Sequence, residues 1–199
     1  MPVNRHFDLL AAFYDRVIRP PDAERLARLL NLPAGGWMLD AGGGTGRVAS
    51  ALCDMVDRLV ISDLSQPMLR QTALKSPGPE GALIPTQARV ERLPFADGTF
   101  NRILVVDAFH HFGDQTRAAE ELARVLRPGG RLVIEEPNIR HFSVKVIALA
   151  ETLALMGSRF RSPAAIREML EEEGLDARIE TEGTTAWVIA EKKLIGGWS

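Results

Sequence analysis

The sequence predicts an open, doubly wound α/β sheet, parallel except for one antiparallel strand at its end. Three observations carry this. Short apolar runs alternate with stretches of helical periodicity. A glycine cluster at residues 42–46 joins a strand to a helix. Two final strands, 175–182 and 184–192, meet at Gly183, a spacing that allows only a hairpin.

Each element follows in order. Phe7, Leu10, Phe13 or Tyr14 and Val17 predict a first helix over 7–17, interrupted by Pro20-Pro21. A second helix runs from Asp22 to Leu30, with Leu26, Leu29 and Leu30 on one side. Gly35-Gly36 mark a turn before the first strand, Trp37 to Asp40, and the glycine cluster leads into a helix from about Gly46 to Asp54. Arg58 to Ser62 is the second strand, closed by Asp63, and Ser65 or Gln66-Pro67 opens the next helix. A loop at 77–81 precedes a third strand near 82–90. The turn Ala96-Asp97-Gly98 leads to an apolar fourth strand, Phe100 to Val106. Asp114 caps a helix carrying Leu122, Val125 and Leu126, and Arg127-Pro-Gly-Gly130 turns it into the fifth strand, Arg131 to Glu135. Residues 137–161 read as a largely helical insertion, and Ser162-Pro163 starts a helix that ends at Gly174.

The chain of 199 residues suits a single domain spanning 1–199, large enough to bury a core without a disulfide or metal staple. A single cysteine, Cys53, excludes an internal disulfide, Cys-rich zinc sites and paired-thiol chemistry, and no metal site is expected. With 24 Lys+Arg against 26 Asp+Glu, no global basic field attracts nucleic acid. No apolar run of about 18 residues predicts a membrane span, and the N-terminal stretch lacks a signal-peptide pattern, so a cytoplasmic protein is expected.

The strongest chemical signal is Leu39-Asp40-Ala41-Gly42-Gly43-Gly44-Thr45-Gly46. Glycines at a strand-to-helix turn let a ligand lie against the main chain. Asp63, at the end of the second strand, stands 19 residues beyond Gly44, where a carboxylate accepts hydrogen bonds from ribose hydroxyls. Gly44 to Ala49 also fits a dinucleotide fingerprint, which brings NAD into consideration. Asp40 counts against it, because a carboxylate facing a pyrophosphate in a poorly solvated site is costly. The same acid suits a ligand with a sulfonium and an ammonium and no phosphate, and S-adenosylmethionine is such a ligand.

Four segments in order then carry a resemblance: LDAGGGTG, VISDLSQPML (60–69), VERLPFADGTFNRILVVDAFHHF (90–112) and LRPGGRLVIEEP (126–137). With them the chain resembles the class I S-adenosylmethionine-dependent methyltransferases, of the small type similar to ubiquinone/menaquinone C-methyltransferases. The resemblance implies a Rossmann-like seven-stranded sheet of order 3-2-1-4-5-7-6 with strand seven antiparallel. It implies S-adenosyl-L-methionine as cofactor and a small-molecule methyl acceptor.

Residue by residue, it implies that Gly42, Gly43, Gly44 and Gly46 run beneath the methionine part of the cofactor and that Asp40 orients its ammonium. Asp63 would accept from the ribose hydroxyls, Leu64 and Met68 would pack against adenine, and the backbone of Val90 and Glu91 would meet the adenine edge. Asp107 and Ala108 would flank the sulfonium, with the Tyr14 ring over the cofactor or packing its own helix on the sheet. Arg89 departs from the pattern: relatives often carry an acid there that accepts from the adenine amino group, and an arginine has no acceptor. His110 and His111 are the candidate catalytic pair, His111 first, as a base for an acidic nucleophile. Aligning two bound reactants, however, needs no base. One of Glu135 and Glu136 must face the cleft by strand alternation.

Within 137–161, Phe142, Val146, Leu149, Leu153, Met156 and Phe160 form a helical apolar stripe beside several basic residues. The segment reads as a substrate lid working with the N-terminal helices (1–31), as a packing helix, or as a homodimer seam through 140–160. Nucleic-acid methylation is disfavoured, because the Asn/Asp-Pro-Pro-aromatic pattern is absent after strand four and Cys53 is misplaced for attack on cytosine. The competing functions are an NAD-dependent reductase and a non-catalytic cofactor-binding regulatory protein, the latter kept open by Arg89.

Overall fold

A computed structural model describes residues 22–74, 83–138 and 159–194. Tyr14, the helix expected at 7–17, the loop at 77–81 and most of the 137–161 insertion lie outside these residues. The described elements are α1 (Ala23–Leu30), β1 (Ala34–Ala41), α2 (Ala49–Leu52), β2 (Val56–Asp63), α3 (Gln66–Leu74) and β3 (Leu83–Gln87). They continue with β4 (Phe100–Val106), α4 (Gln115–Val125), β5 (Leu126–Pro137), α5 (Pro163–Glu172), β6 (Leu175–Glu182) and β7 (Thr185–Lys192). The sheet has seven strands in the order β3-β2-β1-β4-β5-β7-β6. β1 to β5 pair in parallel, and β7 runs antiparallel to both β5 and β6. The terminal hairpin and the strand order are therefore as expected.

Side chains of period two divide the interior between the two faces of the sheet. Leu39, Val60, Ile103, Val105, Leu132, Ile134 and Val188 point to one face, under α4 and α5. Met38, Leu59, Ile61, Leu104, Val133, Trp187 and Ile189 point to the other, under α1 and α2. Three helices, α1, α4 and α5, are started by a side chain that satisfies an otherwise unpaired N–H: Asp22 accepts from Arg25 N, Asp114 from Arg117 N, and Ser162 from Ala165 N.

Three local readings are corrected. Gly35 and Gly36 lie within β1 rather than forming a turn before it, at a register shift between Ala34 and Trp37. The helix after the glycine loop is short, α2 followed by a 3₁₀ turn at Cys53–Met55, because residues 42–48 stay in turns. β5 begins at Leu126, and residues 127–130 bulge out where Leu126 pairs Phe100 and Arg131 pairs Arg102.

A buried polar knot ties the α4 side together. The Glu121 carboxylate, 4% exposed, accepts from Leu93 N at 2.9 Å and from Arg124 at 2.8 and 3.0 Å. Arg124 also donates to the carbonyls of Phe95 and Leu93, fastening the loop before β4 to α4.

Candidate active site

The carboxyl ends of β1, β2 and β4 open into a cavity of about 180 Å³. Open α/β sheets bind ligands here, since the strand order reverses between β1 and β4 and the crossovers leave a crevice. Asp40 forms its floor. It sits near the end of β1, 1% exposed, and its Oδ2 has no hydrogen-bond partner. Burial first, and then the negative charge of Asp63, push its carboxyl up to about 7, against the opposing pull of Arg47.

Across the loop, Asp63 accepts from Gly44 N at 3.0 Å and from Ser65 N at 2.7 Å. These N–H groups fix the orientation of its carboxylate in the cavity wall. The loop itself is pinned from behind, where Thr72 Oγ1 donates to Gly44 O at 3.1 Å and Gly42 N donates to Ser62 O at 2.7 Å. Two glycines are required by close approach. A Cβ on Gly42 would come within 2.7 Å of the Ala108 Cβ, and one on Gly43 within 2.6 Å of Asp40 Oδ2.

Asp40, Gly42, Gly43, Gly44, Asp63, Leu64, Met68, Val90, Glu91, Asp107, Ala108 and His111 all line this one cavity. Gly46 is not among the lining residues. A Cβ there would press on Thr72 at 3.0 Å, so it serves the packing of the loop on α3. His110 lies behind the wall, 4% exposed. Its Nδ1 is 2.6 Å from Glu136 Oε2, and Glu136 Oε1 accepts from Phe109 N at 2.8 Å. Against the expectation that one of them would face the cleft, neither Glu135 nor Glu136 lines the cavity: Glu136 turns to the 3₁₀ turn Phe109–His111, and Glu135 turns to the other face and accepts from Trp187 Nε1 at 2.6 Å. Burial pushes the Glu135 carboxyl up, with the indole bond opposing.

Burial, then the neighbouring His110, push His111 down to about 3, so at neutral pH it presents an uncharged imidazole to the cavity. Sequence reasoning missed Arg47, Phe112 and Gly113, which also line the cavity. They come from turns, where no periodicity marks which residue faces inward. Among the described residues, no group of three or more His, Cys, Asp or Glu side chains could hold a metal ion.

A buried floor carboxylate with an unpartnered Oδ2, a wall acid oriented by the glycine loop and an apolar shelf of Leu64, Met68 and Val90 have the chemistry to suit a cationic nucleoside. Comparison with known proteins agrees. A methyltransferase-domain family profile matches residues 39–134. The ubiquinone/menaquinone biosynthesis C-methyltransferase UbiE of Enterobacter sp. (strain 638) is 30% identical over 182 residues, covering 78% of this chain and 72% of that protein. UbiE of Francisella philomiragia is 36% identical over 107 residues, 51% of this chain, and the chain spans 43% of that relative's length.

Among solved structures, the fold is similar to that of a Haloferax volcanii methyltransferase in complex with the activator Trm112. The TM-score is 0.78 at 17% identity, over 96% of this chain and 99% of that one. It is also similar to phosphoethanolamine N-methyltransferase 2 of Haemonchus contortus in complex with S-adenosyl-L-methionine, with a TM-score of 0.71 at 17% identity, over 84% and 51%. The chain belongs to the class I S-adenosylmethionine-dependent methyltransferases, in the group similar to UbiE.

Proposed function

We propose that the protein transfers a methyl group from S-adenosylmethionine to a small apolar or aromatic acceptor by in-line displacement. The observation that carries this reading is the buried Asp40 carboxylate in the cavity lining, whose Oδ2 has no hydrogen-bond partner. Such a group is expensive unless a cation arrives to pair with it. An ammonium satisfies it, whereas a pyrophosphate would be repelled, so the reductase reading loses its footing.

Bound S-adenosylmethionine supplies a methyl group on an electrophilic sulfonium. The chain's own residues do the rest. Asp40 orients the ammonium, the Gly42–Gly44 backbone supports the methionine part, and Asp63 accepts from the ribose hydroxyls. Leu64 and Met68 offer apolar contact to adenine, and the Val90–Glu91 backbone meets its edge, with Arg89 beside them on the cavity rim. Asp107, Ala108 and His111 stand at the other end, where alignment of the acceptor supplies most of the rate. A neutral His111 accepts a hydrogen bond from an acidic group on the acceptor and is a weak base. His110 acts from behind the wall.

A cytoplasmic location is part of the same proposal. No helix among the described residues is long and apolar enough to cross a membrane. For the 137–161 insertion, the lid reading predicts that removing 140–160 spares cofactor binding and abolishes turnover. A dimer seam predicts loss of a dimer on the same deletion.

The test combines calorimetry with methyl-labelled cofactor and a metabolite panel. Because the relatives are named C-methyltransferases, ring-carbon acceptors come first in the panel, followed by oxygen and nitrogen acceptors. Binding of S-adenosylmethionine and label transfer to one acceptor are expected. Binding of NADH without S-adenosylmethionine would establish the reductase instead. Cofactor binding with no labelled product would establish the regulatory protein.

A further inference from the structure

The 3₁₀ turn Phe109–His111 that follows β4 is held from more directions than a turn of three residues needs. Glu136, at the end of β5 and 4% exposed, takes the Phe109 amide on one oxygen and His110 Nδ1 on the other. Gln115, at the start of α4 and 5% exposed, donates through Nε2 to Phe109 O at 3.0 Å and to Arg159 O at 2.7 Å. Arg159 N in turn donates to His110 O at 2.7 Å. The His110 ring lies nearly parallel to Phe160, with centroids 4.2 Å apart and planes at 13°. The His111 ring leans on His110 at 4.0 Å. Of these three rings only His111 reaches the cavity.

A buried carboxylate is costly to keep, and a core residue of similar volume would stabilise the fold as well. Glu136 is placed where it sets a side chain one step from the cavity. We propose that Glu136 is a positioning residue: by gripping His110 and the Phe109 amide, with Phe160 as a backstop, it fixes the His111 ring in the wall at the methyl-transfer end. This rests on the methyltransferase reading of the cavity, and it assigns Glu136 and Phe160 a task in it.

The arrangement also has an electrostatic consequence. The neighbouring His110 opposes charge on His111. The other charged groups around His111 are Asp40, Asp63, Glu91, Asp107, Arg47 and Arg89 in the cavity lining, with Arg159 behind the turn. None of them changes when Glu136 is replaced by an uncharged isostere, so the effect of that replacement reports on the grip and on the charge of Glu136 itself.

The experiment uses nitrogen-15 correlation spectra of the histidine side chains in the cofactor-free protein between pH 5 and 8. Wild type, Glu136→Gln and Phe160→Leu are compared, and His111→Gln assigns the signals. In wild type, His111 is expected to stay neutral throughout. In Glu136→Gln its titration midpoint should rise by about two pH units, so that the ring begins to take up a proton within this range, and S-adenosylhomocysteine should bind several-fold more weakly. Phe160→Leu should shift the His111 signals in the same direction and by less. If Glu136→Gln does not fold, Phe160→Leu decides alone.

Folded variants whose His111 signals match wild type would overturn the proposal, as would a wild-type His111 that titrates near pH 6.5. Failure of wild type to bind S-adenosylmethionine is read separately by calorimetry. That result would sink the methyltransferase reading and leave the histidine result standing.

Discussion

The Asp40 carboxylate lies directly under the backbone of Gly43, so closely that a methyl group on Gly43 would meet Oδ2 at 2.6 Å. The two residues solve one problem together. Asp40 belongs to a strand buried on both faces and cannot move aside, and the absence of a side chain at Gly43 lets the loop settle over it. The carboxylate therefore reaches the cavity without reaching bulk water.

Asp40 makes cofactor binding and stability depend on pH in opposite senses. Its folded-state carboxyl is raised from 3.8 to about 7. Between these values the folded protein holds a proton that the unfolded chain has released. The stability this group contributes is thus full below about pH 4 and lost as pH rises through 7, a change of up to about 4 kcal/mol. Asp40→Asn abolishes that slope. In urea unfolding of the cofactor-free proteins, the variant should gain on wild type as pH rises from 4 to 8. Calorimetry should show wild-type affinity for S-adenosylmethionine increasing through pH 7 and a weak, flat response in the variant. Parallel stability curves would show that Asp40 is ionised without cost.

Asp63 serves both loop and ligand. Asp63→Ala deprives Gly44 N and Ser65 N of their acceptor and removes the ribose partner. Charge-assisted bonds contribute roughly 1.5–3 kcal/mol each, so affinity for S-adenosylhomocysteine should fall at least about tenfold. Asp63→Asn keeps one acceptor oxygen and should fall between. Equal affinities for all three proteins in calorimetry would remove Asp63 from the site.

Much of this architecture is legible in the residues because its physical cause is local. Ile103, Leu104 and Val105 alternate between the two faces as a strand between helical layers requires. The 19-residue spacing of Gly44 and Asp63 resolves into a hydrogen bond. What escaped depends on partners distant in sequence. Gly35-Gly36 looks like a turn until Asn101 is seen to occupy the place of a Gly36 side chain, with its Oδ1 accepting from Trp37 N. Alternation shows that Glu135 and Glu136 face opposite ways. It cannot show that one meets Trp187 and the other His110, because those pairings depend on register between strands and turns. Arg47 and Gly113 reach the cavity through turn geometry that leaves no periodic trace.

The Glu121–Arg124 knot predicts a sharp contrast between two arginines. Both contact Glu121, but Arg124 supplies two bonds to the buried carboxylate and two to loop carbonyls, while Arg117 is half-exposed and makes one contact. Arg124→Ala leaves the buried carboxylate with only the Leu93 amide and the half-exposed Arg117, and should cost about 3 kcal/mol in urea unfolding. Arg117→Ala should leave the midpoint unchanged. Equal losses would mean that the knot does not anchor the loop before β4.

His111 acts on stability with the opposite sign to Asp40, and this makes the two separable. Its imidazole is lowered from 6.5 to about 3, so between those values the unfolded chain takes up a proton that the folded protein refuses. The stability it contributes is present above pH 6.5 and lost as pH falls toward 3. The loss is below about 4 kcal/mol, since solvent reaches part of the ring. His111→Gln cannot take up the proton in either state, so its stability relative to wild type should improve steadily from pH 6.5 down to 4. Across the same range, Asp40→Asn should lose its advantage over wild type. The double variant should show both changes added to within about 0.5 kcal/mol if the two groups titrate independently. A His111→Gln curve parallel to wild type would mean that the ring is free to reach water and take a proton, and that no neutral imidazole waits at the methyl-transfer end.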